Sequence, residues 1–341
     1  MARLFTSDNA SGVHPEVLAA LERANVGDAA AYGGDAVTAR AVARVRRHFG
    51  EEAEVLFTFG GTGANVVALA AVTRPTDAVL CAASSHLWKD ECAAPERFLA
   101  AKLLPIETAD GRLDPESVRR HLVAERGVHQ SRPRVLSITQ ATEWGTLYRA
   151  EEMAALAELA HAHDVLLHVD GARLANAAAA LDVPLAALSR DVGADVVSFG
   201  GTKNGLLGAE AVLFLRPGLA HDAPRVRKQA MQLASKMRFL AVQIEALLTD
   251  DLWLRNAGRA NAMAARLADR LAGVPTLDLA QPVETNAVFL RVAPDRLAAL
   301  CAGTGLAVWD PESSIVRCVA SFDTTQEEVD AFAERVRTAL V

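Results

Sequence analysis

Lysine is scarce in this sequence: only five of its 35 basic residues are lysines, Lys89, Lys102, Lys203, Lys228 and Lys236. Cysteine is scarce as well, with four residues, Cys81, Cys92, Cys301 and Cys318, and no CxxC pair among them. That excludes a disulfide-stapled small fold, and the thiols read as reduced in a cytoplasmic protein. No HExxH or clustered Cys/His spacing is present, so no metal site is expected. No apolar run approaches the roughly 20 residues that a bilayer span requires. The first eight residues lack the apolar stretch of a signal peptide. Positive charge is in deficit, with a formal net charge of -7. This argues against a nucleic-acid or anionic-membrane partner, although an anionic small molecule needs only local positive charge.

What is present is a core. Hydrophobic residues make up 51% of 341 positions, which excludes disorder and suffices for two domains. Apolar runs alternate with helical patterns. Strands are expected at Val55–Phe57, Ala78–Cys81, Val135–Ile138, Val165–Val169, Asp195–Phe199 and Ala211–Leu215, and helices at Glu151–His163 and Ala172–Leu181. The spacing is that of βαβ units and predicts an α/β fold with a mostly parallel sheet. Beyond about residue 245 the pattern changes to α+β. A helix is expected over Leu252–Leu271, strands over Asn286–Val292 and Ile315–Val319, and helices near 294–302 and from Thr325. The predicted division is therefore a large domain over 1–245 and a smaller C-terminal α+β domain over 246–341.

In a largely parallel sheet, ligands sit at the carboxyl ends of strands. Phe59-Gly60-Gly61-Thr62-Gly63-Ala64-Asn65 follows one apolar run and opens a helix. Glycines and a helix N-terminus suit an anion, although a plain strand-to-helix turn reads equally well. The stretch is neither a Walker loop nor a dinucleotide fingerprint. Asp170 closes an apolar strand in His168-Val169-Asp170-Gly171-Ala172-Arg173. It reads as a helix N-cap or as a carboxylate facing a cationic ring nitrogen. Lys203, in Gly200-Gly201-Thr202-Lys203-Asn204-Gly205, has small uncharged neighbours rather than the charged surroundings of a surface lysine. A desolvated amine of this kind suits Schiff-base chemistry. His86 follows a strand and is placed either to stack on a flat ring or as a plain loop residue. Arg317, inside the apolar run Ile315–Val319, is either an internal ion-pair partner or a carboxylate binder.

Taken in order, these residues resemble the fold type I pyridoxal-phosphate enzymes. More narrowly, they resemble the low-specificity L-threonine aldolases and their phenylserine-aldolase-like branch. The matching stretches run over nearly the whole chain: Ser7-Asp8-Asn9, Ala31-Tyr32-Gly33, Gly61-Thr62, Ser85-His86, Asp90-Glu91-Cys92, Gln140-Ala141-Thr142-Glu143, His168–Arg173, Phe199–Gly205, Ala234–Phe239 and Arg317. The resemblance implies pyridoxal 5′-phosphate as cofactor, joined to Lys203. Asp170 would face its ring nitrogen, His86 would stack on its ring, Gly61, Thr62 and Arg238 would hold its phosphate, and Gly63 and Thr202 would also contact the cofactor. Arg173 would serve both cofactor and substrate. Ser7, Tyr32, Arg173 and Arg317 would surround the amino-acid substrate, with Tyr32 and Arg238 reached across a homodimer or homotetramer interface.

The implied reaction is retro-aldol cleavage of β-hydroxy-α-amino acids (threonine, allo-threonine, phenylserine) to glycine and an aldehyde. Cleavage needs a base at the β-hydroxyl, and His86, Glu143 or a bound water are the candidates. Three departures stand out: Glu143 occupies the position where many bacterial relatives carry histidine, Tyr32-Gly33-Gly34-Asp35 replaces Tyr-Gly-Asp-Asp, and Ala93 replaces a glycine. They bear on contacts to the substrate's β-side. The alternatives are a β-eliminating lyase and a catalytically inert scaffold on the same fold.

Overall fold

The computed structural model describes residues 3–124 and 127–340. Its centre is a seven-stranded sheet built from β1 (Glu54–Thr58), β2 (Asp77–Ala82), β3 (Lys102–Ile106), β4 (Arg132–Thr139), β5 (Leu166–Gly171), β6 (Val196–Gly200) and β7 (Glu210–Phe214). The spatial order is β1-β7-β6-β5-β4-β2-β3. All neighbours pair in parallel except β7, which runs antiparallel to both β6 and β1. Strands β2, β5, β6 and β7 are buried at every position. This is why they read as continuous apolar runs rather than as alternating patterns: helices cover both faces of the sheet.

One face packs against helices Ala36–Phe49, Ala150–His161, Leu174–Leu181 and Arg238–Leu247 in the largest core. The other face packs against helix Gly61–Ala70, which is apolar nearly all round and correspondingly buried along Ala64–Leu69. That helix leaves the carboxyl end of β1, so its N-terminus lies at the rim where β5 and β6 also end.

A second, four-stranded antiparallel sheet comprises β8 (Leu277–Leu279), β9 (Ala287–Val292), β10 (Val308–Asp310) and β11 (Ile315–Val319), in the order β10-β11-β9-β8. Helices Leu252–Leu271, Pro294–Thr304 and Gln326–Leu340 surround a core of their own with it. Pro294 opens its helix and Gly305, at φ +77°, closes it, the usual punctuation of a helix. The N-terminal arm belongs to this second core. Phe5 stacks on Phe332 at 4.3 Å, and its carbonyl accepts from Val319 N at 2.7 Å.

Helix Leu252–Leu271 and strand Ile315–Val319 fall where the apolar periodicity puts them. The helix expected from Ala172 starts at Leu174, because Asp170 and Ala172 form a turn first, with Ala172 N bonded to Oδ1 at 3.0 Å. Residue 245 lies inside helix Arg238–Leu247 rather than in a connection.

Candidate active site

The carboxyl ends of β5 and β6, the start of helix Gly61–Ala70 and the short helix His86–Lys89 enclose a cavity of about 450 Å³. Its wall includes Gly61, Thr62, His86, Asp170, Thr202 and Lys203. These residues come from separate stretches of chain and meet only because parallel strands end on one side.

Lys203 projects from the turn Thr202–Asn204, directly after β6. Burial, and then the Arg173 guanidinium, pull its amine below the ordinary lysine range. That is the direction a nucleophilic amine needs, since the neutral form carries the lone pair. Asp170, buried at the end of β5, accepts from Asn65 Nδ2 at 2.8 Å and from Ala172 N at 3.0 Å. Asn65 Nδ2 also reaches Glu91 Oε1 at 2.9 Å, and Glu91 Oε1 bonds His86 Nδ1 at 2.9 Å. A polar chain His86–Glu91–Asn65–Asp170 therefore runs along one side of the cavity. The Glu91 bond raises the His86 imidazole above its ordinary pKa. With Nδ1–H directed at Glu91, the neutral tautomer keeps a free lone pair on Nε2.

Glu143 sits behind His86 rather than on the cavity wall. Its Oε1 accepts from His86 N at 2.7 Å and from Thr139 Oγ1 at 2.9 Å, while Oε2 is buried without a partner among the described residues. Burial, followed by the charge of Asp170, pushes its carboxyl up to about 7.

At the phosphate-like loop, a side chain at Gly61 would meet nothing within 4 Å, so an anionic group has open access to the helix N-terminus. Gly63 has a neighbour where Gly61 has none. A Cβ there would collide with the Gln232 side chain, whose Oε1 accepts from Phe59 N at 3.1 Å.

The two arginines differ in kind. Arg173 is held in a two-point pair with Asp8, Nε to Oδ2 at 2.8 Å and Nη2 to Oδ1 at 2.9 Å, and Asn286 Nδ2 adds a third bond to Asp8 at 3.0 Å. Arg317 has no carboxylate within ion-pair distance among the described residues. Its guanidinium lies 4.3 Å over the Trp309 ring, and burial together with Arg173 lowers its pKa to about 10. Arg317 is thus a largely withdrawn cation stacked on an aromatic face beside a second cation.

Ser7 Oγ caps the short helix Asp8–Ala10 by accepting from Asn9 N at 3.1 Å, and Asn9 rather than Ser7 reaches the cavity wall. Tyr32 and Arg238 lie outside the cavity of their own chain. Tyr32 is 54% exposed and adopts φ 58°, with its N–H on Ser235 O at 2.9 Å. Arg238 Nη1 donates to Gly27 O at 3.1 Å on the surface. Sequence reasoning passed over Asn65, Glu91 as a partner of His86, Asp8 as a partner of Arg173, Trp309 and Glu210. Asn65 and Asp8 are defined by contacts distant in sequence, whereas Glu91, Trp309 and Glu210 meet nearby residues through turns that leave no periodic pattern. All four cysteines are free. No helix among the described residues is long and apolar enough to cross a membrane, and no cluster of three metal-ligating side chains occurs among them.

Residues 5–295 match the model of the family described as beta-eliminating lyase. The chain is 44% identical over 338 residues to a low specificity L-threonine aldolase of Pseudomonas aeruginosa, spanning 98% of this chain and 97% of that protein. It is 42% identical over 337 residues to a protein of the same name from Pseudomonas sp., spanning 98% and 97%. Among solved structures, Leishmania major threonine aldolase superposes with a TM-score of 0.92 at 29% identity, over 99% of each chain. An aspartate aminotransferase from Thermus thermophilus, at 20% identity and a TM-score of 0.72 over 97% and 89% of the chains, shares the fold. The mostly parallel sheet with a second small sheet is thus the fold type I architecture, and the chain belongs to the beta-eliminating lyase family, in its low-specificity L-threonine aldolase branch.

Proposed function

We propose that this protein is a pyridoxal 5′-phosphate-dependent aldolase that cleaves β-hydroxy-α-amino acids of the threonine and phenylserine type to glycine and an aldehyde. The observation that carries this reading is the placement of Lys203. Its amine, made less basic by burial, lies in one cavity between an open helix N-terminus at Gly61–Thr62 and the buried carboxylate of Asp170. An anion cradle, an amine and a carboxylate in that order fit the phosphate, aldehyde and ring nitrogen of the cofactor. When bound, the cofactor supplies an electron sink that stabilises negative charge at the substrate's Cα.

The chain's own residues supply the rest. Asp170, fixed by Asn65, favours a positive charge on the ring nitrogen. Arg317 and the remaining edge of Arg173 bind the substrate carboxylate. His86 Nε2, freed as an acceptor by the Glu91 bond, takes the β-hydroxyl proton; Glu143 fixes the backbone from which His86 projects. Lys203 covalently anchors the cofactor and holds a proton once displaced.

The same reading includes a division into units 1–245 and 246–341, a cytoplasmic setting, and assembly as a homodimer or homotetramer. Tyr32, exposed on this chain, and Arg238, half-buried on it, would then reach a neighbour's cavity, completing it at the substrate and phosphate ends. The test is covalent mapping. Borohydride reduction with the cofactor bound, followed by peptide analysis, is expected to find the label on Lys203. A label on Lys228 or Lys236 would overturn the assignment.

A further inference from the structure

Glu210 is a buried carboxylate that neither the sequence motifs nor the reaction above employ. It opens β7, directly opposite Gly200 of β6 in the antiparallel register, so its side chain enters the cavity from beneath the Lys203 turn. Its Oε2 accepts the Gly201 N–H at 2.5 Å. Gly201 has no room to adjust: a Cβ there would collide with Leu206 and lie 2.6 Å from the Ala209 carbonyl oxygen. The turn that carries Lys203 is thus gripped by packing on one side and by Glu210 on the other. The sheet's one strand antiparallel to both neighbours is what allows this. A parallel β7 would begin at the opposite edge of the sheet and could not present its first residue here.

The charges around the pair are few. Lys203 feels Arg173, Asp8, Asp170 and Glu210, and His86 in turn feels Lys203. Asp8 is engaged by Arg173 and Asp170 by Asn65, whereas Glu210 is in no ion pair among the described residues. Burial pushes the Glu210 carboxyl up to about 7, opposed by hydrogen bonds from Thr202 and Gly201 and then by the Lys203 cation.

We propose that Glu210 is a positioning residue for Lys203: it anchors the turn from which the amine projects, and its negative charge helps retain the proton on that amine. The proposal rests on Lys203 being the reactive amine of the reading above. Retaining a proton on the displaced lysine would keep it from competing with the substrate's amine.

The test uses the cofactor-free protein. Lys203 is labelled competitively with a small amine-reactive reagent across pH 6–10, and the extent is read by peptide mass spectrometry. Glu210→Gln preserves shape and the acceptor for Gly201 N–H but removes the charge. Its Lys203 midpoint is expected to fall by about one pH unit, a tenfold loss of proton affinity. Glu210→Asp, which keeps the charge but withdraws it by one methylene, is expected to fall by less. A midpoint in Glu210→Gln equal to the wild type would overturn the proposal, as would a fall in Glu210→Asp as large as that in Glu210→Gln. Because the labelling needs neither cofactor nor substrate, a failure of the aldolase reading would leave this measurement intact, and the two failures are distinguishable. In the holoenzyme, the pH midpoint of the bound cofactor's visible band is expected to move in the same direction.

Discussion

Arg173 and Asp8 face each other through two parallel hydrogen bonds of 2.8 and 2.9 Å, although 165 residues separate them. Burial works to raise the Asp8 carboxyl, yet Arg173 and Lys203 hold it below its ordinary range. The N-terminal arm is therefore a brace that orients Arg173, one of the two arginines proposed to bind the substrate carboxylate. Asp8→Asn removes the charge without changing the shape. It is expected to cost about 3–5 kcal/mol in urea unfolding, because a largely buried guanidinium loses its counter-charge. KM for threonine should rise more than kcat falls.

Arg317 makes the opposite prediction. It has no carboxylate partner to abandon, so Arg317→Leu should leave the urea midpoint nearly unchanged. Losing a desolvated charged contact to the substrate costs about 2–5 kcal/mol, so kcat/KM should fall roughly 30-fold or more while the cofactor stays bound. Loss of folding with normal kinetics in the folded remainder would make Arg317 a structural residue instead.

The His86–Glu91 bond predicts a pH dependence. The base must be neutral to accept a proton, and Glu91 raises the His86 pKa above 6.5. Activity is therefore expected to rise with pH through a midpoint above 6.5. Glu91→Gln should move that midpoint downward, since it removes the partner that favours imidazolium. A midpoint indifferent to Glu91 would remove His86 from the role of base.

Glu143 separates two readings of the same site. As a support behind His86, it is replaceable by glutamine, whose carbonyl still accepts from His86 N. Glu143→Gln is then expected to lose less than about tenfold in kcat, whereas the base itself would lose the roughly 10²–10⁴-fold that general-base catalysis contributes. The rate of threonine cleavage, measured beside exchange of the glycine Cα proton, decides between them.

Residues at strand ends were legible in the sequence because a lone polar group terminating an apolar run is seldom there for packing; Lys203, Asp170 and His86 all belong to that class. Arg317 was legible as an arginine within an apolar strand, but its stacking on Trp309 was not, since β10 and β11 pair with an irregular register. Three features had no local signal: the antiparallel β7 that delivers Glu210, the Asn65 bridge between Glu91 and Asp170, and the Asp8–Arg173 pair. Each depends on sheet order and chain crossing, which hydrophobic period does not encode. Gly63 illustrates the converse. A glycine within an apparent anion loop also has the amide end of the Gln232 side chain packed against it, which a Cβ there would displace.

The most direct test of the central claim is the product formed from threonine by the cofactor-loaded protein. Cleavage of the Cα–Cβ bond, with His86 taking the β-hydroxyl proton, predicts glycine and acetaldehyde in equal amounts and no ammonia. Formation of 2-oxobutyrate and ammonia would show that the Cα proton is removed and the hydroxyl expelled, and the aldolase account would be wrong.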